Sequence, residues 1–119
     1  MTAVLLIAHG SRAKRTERVF EAIAGMVREK LPGYVIETAY MEFGEPTVEA
    51  GLDGLKSRGF DRVIAVPYFL FEGIHISKDI TGILNRYAAA NPGFEITLRR
   101  TLSDDSRLAD IVADRIRGD

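Results

Sequence analysis

Two histidines, the only two in the chain, each follow an apolar run. His9 comes directly after Val4–Ala8, and His75 lies just beyond the run Val63–Phe71. A continuously apolar run predicts a strand buried on both faces of a parallel sheet. Ligands bind at the carboxyl ends of such strands. We therefore expect His9 and His75 to face one cleft at that edge of the sheet.

Glu42 adds a carboxylate after the second predicted strand. Two imidazoles and one carboxylate form an open site for a divalent metal, with positions left for water or substrate. The sequence therefore predicts His9, Glu42 and His75 as metal ligands. The chain has no cysteine, which excludes thiolate ligands, thiol nucleophiles and disulfides. The remaining donors suit cobalt, nickel, iron or zinc.

Structural roles remain open for each of these side chains. A single histidine is more often structural than functional, and a glutamate at a strand-to-helix junction is often simply solvated or faces a helix N-terminus. Glu45 competes with Glu42 as the carboxylate, although its place beside Pro46 suits a helix start.

The segment Gly10-Ser11-Arg12 is suited to hold an anion. Backbone N–H groups at a helix start, a hydroxyl and a guanidinium all bind carboxylate or phosphate. The alternative is that Gly10 permits a tight turn and Ser11 caps the helix. Lys14, Arg15 and Arg18 add positive charge next to this segment. For Arg18, a position on a solvated helix face is the simpler interpretation.

The connection Tyr68–Phe71 is unusually apolar for a surface loop. It is suited to wall a pocket for a flat apolar ligand or to pack on a partner chain. Burial of some of its side chains in the core is the third interpretation.

The chain alternates strand and helix four times. We predict four strands: the run ending in Ala8, Tyr34–Met41, Arg62–Pro67 and Phe94–Leu98. We also predict four helices: Lys14–Leu31, one from Pro46 to near Gly59, one from Ile76 to before Asn91, and one after an N-cap at Asp104 or Asp105. This order predicts an α/β fold of flavodoxin-like type, three layers with a four-stranded parallel sheet in the order 2-1-3-4. Residues 1–119 are expected to form a single domain.

The overall charge narrows the range of partners. With a net charge of −1, the protein as a whole has no electrostatic attraction to nucleic acid or to an anionic membrane. No apolar run reaches the roughly 20 residues of a membrane span, and the N-terminus lacks a secretory pattern. We expect a cytoplasmic protein with no nucleic-acid or membrane partner.

Three stretches of the chain resemble the class II chelatases of the CbiX/SirB group, which insert a divalent metal into sirohydrochlorin. They are Leu6–Arg12, Met41–Pro46 and Val66–Ile80. The resemblance implies a chelatase-like half-domain acting on this tetrapyrrole, with Co²⁺ as the first expectation and Ni²⁺ or Fe²⁺ as alternatives. The pathway would be that of cobalamin, sirohaem or another tetrapyrrole, and no organic cofactor is expected.

The resemblance also implies roles for residues. His9 and His75 correspond to the ligands and proton acceptors of the family, and Glu42 to its glutamate ligand. We expect substrate contacts at Gly10, Ser11, Arg12, Phe71, Gly73 and Ile74. The chain is about half as long as the two-lobed members, and short members form homodimers with the cleft between protomers.

Two rival functions remain. Histidine phosphatases also place His-Gly after a first strand, but they have an arginine before that histidine, where this chain has Ala8. A carrier that binds metal or tetrapyrrole without catalysing insertion would use the same ligands as a chelatase.

Overall fold

The computed structural model describes residues 2–118, apart from the side chain of His75. Eight elements alternate as predicted: β1 (Thr2–Ala8), α1 (Lys14–Lys30), β2 (Val35–Tyr40), α2 (Val48–Ser57), β3 (Arg62–Pro67), α3 (Ile74–Ala90), β4 (Glu95–Leu98) and α4 (Ser106–Ile116). Within the described part of the chain, no helix has both the length and the apolar character needed to cross a bilayer.

The four strands form one parallel sheet in the order β2-β1-β3-β4, which confirms the predicted topology. The apolar run of β1 is buried on both faces because β1 lies inside the sheet. Leu5 and Ile7 are fully buried in the layer that contains α2 and α3, whereas Val4 and Leu6 pack in the layer that contains α1. The carboxyl ends of β1, β2 and β3 therefore meet at one edge.

Helix α2 begins two residues later than predicted. We expected Pro46 in its first turn, but Thr47 is the N-cap and its side chain accepts a hydrogen bond from the N–H of Ala50 at 3.1 Å. The hydroxyl cap satisfies a backbone donor that proline cannot satisfy. Gly51, a weak helix former, lies buried on the inner side of α2.

The close packing of α2 on the sheet explains why a glycine stands at position 51 inside this helix. A Cβ at Gly51 would lie 3.1 Å from Cδ1 of Leu5 and 3.3 Å from Cβ of Ala39. Gly51 therefore lets α2 approach β1 and β2 closely, which offsets its low helix propensity.

Two buried tyrosines donate hydrogen bonds to carboxylates. The Tyr40 hydroxyl lies 2.6 Å from Oε2 of Glu21, and that of Tyr87 lies 2.6 Å from Oδ1 of Asp53. Burial first, and then the hydrogen bond to a carboxylate, raises the pKa of both phenols well above the ordinary value. These bonds tie α1 to β2 and α3 to α2.

These pKa shifts predict how the fold responds to alkali. A phenol whose pKa is raised by folding stabilises the fold below its unfolded pKa of about 10 and loses this effect as the pH rises through the folded pKa. In an absorbance titration at alkaline pH, we expect Tyr40 and Tyr87 to ionise late and together with loss of the circular dichroism signal. Tyr40→Phe should remove one late-ionising phenol. Reversible ionisation of both near the ordinary pKa, with the fold intact, would contradict this assignment.

Candidate metal and substrate site

The site begins where the backbone pairing of β1 and β2 continues past both strands. The N–H of Met41 donates to the carbonyl of Ala8 at 3.0 Å, and the N–H of Glu42 donates to the carbonyl of His9 at 3.0 Å. These two bonds join the segments that directly follow β1 and β2. They fix the main chain of Glu42 beside that of His9.

Gly10 is required by this arrangement. It has a φ of +98°, and a Cβ built on it would lie 1.7 Å from the carbonyl oxygen of Glu42. Only glycine combines the left-handed conformation with so close an approach of another backbone. The predicted tight turn at Gly10 is therefore present, and it presses directly on the Glu42 peptide group.

The side chains of His9 and Glu42 come together, as we expected from the sequence. Nε2 of His9 lies 3.1 Å from Oε1 of Glu42, and the two side chains are 49% and 48% exposed. An imidazole and a carboxylate at this distance can share a proton or a metal ion. Their exposure leaves both open to a ligand from solvent.

The pair lines a cleft with a volume of about 270 Å³. Its other walls are helix α3 and the chain after β2. The lining side chains are His9, Met41, Glu42, Lys78, Asp79, Ile83 and Arg86. The cleft thus presents two cations and two carboxylates around one imidazole, which suits a ligand carrying both a metal and anionic groups.

Lys78 and Arg86 were not among the predicted site residues. They lie eight residues apart on α3, with Gly82 midway, so they share one side of the helix. A Cβ at Gly82 would lie 3.1 Å from a terminal nitrogen of Arg86, so the Arg86 side chain folds back over Gly82. The step of four residues was visible in the sequence, but which side of α3 faces His9 depends on packing.

Ser11 is not the N-cap of α1, which was the alternative interpretation of this residue. The N-cap is Ala13, and the hydroxyl of Ser11 instead accepts a hydrogen bond from the N–H of Ala13 at 3.1 Å. The hydroxyl lies too early in the chain to reach the first turn of the helix. It orders the segment between Gly10 and α1.

Arg12 lies over the ring of Phe43, with its guanidinium carbon 4.6 Å from the ring centroid. Phe43 has a φ of 57°, a left-handed conformation that a large side chain adopts at a cost of about 1–2 kcal/mol. The stacked guanidinium helps to hold the loop after Glu42 in this conformation. Arg12 thus stands beside the site, on the flank formed by the β2–α2 loop.

Phe71, Gly73 and Ile74 do not line the cleft that contains His9. Phe71 lines a separate cavity of about 230 Å³ on the opposite flank of α3, together with Thr101. Gly73 is the N-cap of α3, so this helix begins before His75 rather than after it. Phe71 and Ile74 are 79% and 73% exposed. Tyr68 and Phe69 are partly buried and pack against the core, so core burial applies to the first half of the loop Tyr68–Phe71 and not to Phe71.

The predicted third ligand, the side chain of His75, lies outside the described residues. Among the side chains that are described, no group of three or more histidines, aspartates or glutamates is placed to hold a metal ion. Glu45, the competing carboxylate, lines a neighbouring concavity with Lys14 and Phe43 instead of the cleft at His9.

Known proteins are similar to this chain along nearly its whole length. The chain is 32% identical to a sirohydrochlorin cobaltochelatase from Methanopyrus kandleri, over 98% of this chain and 96% of that protein. It is 30% identical to a chloroplastic sirohydrochlorin ferrochelatase from Arabidopsis thaliana, over 96% of this chain and 51% of that protein.

A solved structure and a family model agree with these relatives. The sirohydrochlorin chelatase SirB from Bacillus subtilis subspecies spizizenii, in complex with cobalt, matches with a TM-score of 0.91 and 26% identity. The match covers 98% of this chain and 50% of SirB, so the chain spans about half of that longer protein. The CbiX family model matches residues 3–119. With this match and these relatives, the chain belongs to the CbiX family.

Proposed function

We propose that this protein is a sirohydrochlorin chelatase that inserts a divalent metal, cobalt first among the candidates, into the tetrapyrrole. The observation that carries the proposal is the His9–Glu42 pair, 3.1 Å apart at the mouth of a cleft that also holds Lys78 and Arg86. The relatives named as cobaltochelatases support cobalt, and the relative named as a ferrochelatase keeps iron as the alternative. Nickel suits the same donors.

The metal is a substrate, and its binding must be loose enough for transfer. Neutral imidazole and carboxylate bind cobalt, iron and nickel while leaving coordination positions open. In this proposal His9 and Glu42 hold the ion together with His75, the ligand implied by the sequence resemblance. The half-exposed positions of His9 and Glu42 let the ion enter from solvent and leave toward the tetrapyrrole nitrogens.

Insertion also requires proton transfer. As the divalent metal binds the ring, two pyrrole N–H bonds break; their electron pairs form metal–nitrogen bonds, and two protons leave. His9 is positioned to accept one of them, because imidazole accepts protons near neutral pH. The carboxylate of Glu42 then stabilises the imidazolium by a charge-assisted hydrogen bond. Solvent at the open mouth removes the proton.

The substrate is a flat ring edged with carboxylates, so cations around the metal site orient it. Lys78 and Arg86 supply these cations from α3, and Gly10, Ser11 and Arg12 supply N–H groups, a hydroxyl and a guanidinium from the other side. Lys78→Gln and Arg86→Gln should each raise KM for the tetrapyrrole about tenfold, the value of one hydrogen bond to a charged group, with a smaller effect on kcat.

Arg62→Gln is the matched control for these two variants. Arg62 is an exposed arginine paired with Glu95 at the amino end of β3, the edge of the sheet opposite the cleft. Its replacement should leave KM unchanged. Normal KM values in both the Lys78 and the Arg86 variants would remove these residues from the substrate site.

The active form in this proposal is a homodimer with the substrate between protomers. The exposed apolar side chains of Phe71 and Ile74 then form part of the wall that covers the ring. The chain spans half of the length of SirB, and a second copy supplies the matching half.

The direct test is an insertion assay. Sirohydrochlorin is mixed with Co²⁺, Ni²⁺ or Fe²⁺, with and without the protein, and the change in ring absorbance gives the rate. We expect the protein to accelerate insertion of at least one metal, with cobalt fastest. Tight binding of sirohydrochlorin and metal without acceleration would overturn the chelatase proposal and favour a carrier.

A further inference from the structure

A second cavity lies between helix α3 and the chain segments that follow β3 and β4. Its volume is about 230 Å³, and it borders the flank of α3 that faces away from the metal cleft. Backbone hydrogen bonds tie the two segments together. The N–H of Leu102 donates to the carbonyl of Phe69 at 2.9 Å, and the N–H of Ser103 donates to that of Leu70 at 3.0 Å. The cavity is therefore part of the folded chain, as most small-molecule sites are.

Thr101 brings an unpaired hydroxyl group to this cavity. The residue lines the cavity and is 8% exposed. Among the side chains that the structure describes, its Oγ1 is the only buried nitrogen or oxygen without a hydrogen-bond partner. Nearly all buried polar groups in proteins are hydrogen-bonded, because an unpaired one costs free energy. An unpaired hydroxyl in the wall of a cavity indicates a ligand that completes the bond.

The other polar groups around the cavity favour an anion. Ser77 and Thr81 lie four residues apart, and hence on one side of α3, and both line the cavity. Arg99 adds a guanidinium from the chain after β4. Helix α3 begins at its N-cap Gly73 without an acidic residue in its first turn, so the positive end of the helix also favours negative charge. Hydroxyl groups and a guanidinium are the donors that bind a carboxylate.

Both the shape of the cavity and its one acidic group limit the ligand. Its apolar walls include Phe69, Ile80 and Leu98, which suit a short alkyl part. Arg99 and Glu72 are exposed and therefore lie at the mouth, whereas Thr101 lies at the inner end. Among the described side chains that line the cavity, Glu72 is the only carboxylate, and it opposes the binding of an anion.

We propose that this cavity binds a carboxylate group carried on a short alkyl chain. The carboxylate accepts hydrogen bonds from the Thr101 hydroxyl and the Arg99 guanidinium, and the alkyl part packs against Ile80 and Leu98. Two sources supply this chemistry: a free short-chain acid, or a carboxylate-bearing arm at the edge of the tetrapyrrole. The second source rests on the function proposed above, in which Phe71 lies beside the ring; the first does not.

Methyl NMR measures this binding without metal and without insertion activity. The full chain, labelled at isoleucine and threonine methyl groups, is titrated with butyrate. The signals of Ile76, Ile80 and Thr101 should move together and saturate in the millimolar range, as expected for a ligand of about six non-hydrogen atoms. Ile83, which lines the metal cleft instead, should move far less. Butanol should bind about tenfold more weakly because it lacks the charge.

The absence of a saturable shift at Ile76 and Ile80 would overturn the proposal. Shifts at Ile83 alone would place the acid in the metal cleft and would overturn it as well.

Substitutions distinguish a carboxylate site from a merely apolar cavity. Thr101→Val should weaken butyrate binding about tenfold, and it should raise the melting temperature of the ligand-free protein because a buried unpaired hydroxyl is removed. Arg99→Gln should also weaken binding about tenfold. Glu72→Gln should strengthen it about threefold, because a repelling charge at the mouth is lost. Arg100→Gln is the matched control, since Arg100 does not line the cavity.

Two results with these variants would refute the carboxylate site. One is wild-type affinity for butyrate in both Thr101→Val and Arg99→Gln. The other is a lower melting temperature in Thr101→Val, which would show that the hydroxyl is paired without a ligand.

Competition identifies the source of the carboxylate. Displacement of butyrate by sirohydrochlorin, together with weaker sirohydrochlorin binding in Arg99→Gln, would assign the cavity to an arm of the tetrapyrrole. Simultaneous binding of both ligands would assign it to a free acid, and either result supports the proposal. Butyrate binding without accelerated metal insertion would refute the proposed function alone. Accelerated insertion without butyrate binding would refute the carboxylate site alone.

Discussion

His9→Ala is expected to lower kcat for metal insertion by about 10²–10⁴-fold, the usual contribution of a positioned proton acceptor. In the proposed mechanism, this variant loses a metal ligand and a proton acceptor at once. His9 is 49% exposed, and its side chain contacts the carboxylate of Glu42 at the surface of the cleft, so the fold should remain stable. Stopped-flow absorbance with saturating sirohydrochlorin measures the effect. From the sequence resemblance, His75→Ala should have a loss of similar size.

A pair of glutamate variants separates the metal role from a general effect of charge. Glu42→Gln should raise KM for Co²⁺, because an amide oxygen is a weaker donor than a carboxylate. Glu45→Gln, in the same loop but outside the cleft, should behave as wild type.

Wild-type rates in His9→Ala and His75→Ala at limiting metal would show that the imidazoles have no part in insertion.

Gly10→Ala is expected to destabilise the protein by about 2–4 kcal/mol and to abolish insertion in the fraction that folds. The new Cβ would lie 1.7 Å from the Glu42 carbonyl oxygen. If the segment of Gly10 or that of Glu42 shifts to relieve this contact, the hydrogen bond from the N–H of Glu42 to the carbonyl of His9 breaks. The left-handed φ of +98° adds its own conformational cost. Urea unfolding measures the stability, and the insertion assay measures the site.

Gly33→Ala provides the control for a simple loss of glycine. No atom would lie within 4 Å of a Cβ at Gly33, so we expect a change within about 1 kcal/mol. If Gly10→Ala were as stable and as active as Gly33→Ala, the close approach of Gly10 to Glu42 would not be required for the site.

The topology could be predicted because the sequence alternates two simple patterns. The apolar run of β1 indicated a strand inside the sheet, and the order of elements indicated parallel pairing. The same reasoning brought His9 and Glu42 to one edge of the sheet. The errors lie at helix starts: both Pro46 and Thr47 suit the beginning of α2, and the hydroxyl cap at Thr47 prevailed.

The rest of the site depends on packing that periodicity does not specify. The spacing of Lys78 and Arg86 places them on one side of α3, but it does not show that this side faces His9. The exposed face of α4 is the opposite case. Its pattern predicted an amphipathic helix, and only the structure shows that its own chain does not bury it.

If Glu42 is a metal ligand as proposed, the way its main chain is held has a consequence for redesign of the metal preference. Its main chain is held by the hydrogen bond to the His9 carbonyl and by the close approach of Gly10, and neither of these contacts involves the carboxylate. Aspartate, histidine or cysteine can therefore be installed at this position on an unchanged scaffold. Selectivity among first-row metals becomes a matter of swapping one donor, and the softness of each new donor sets which ion is preferred.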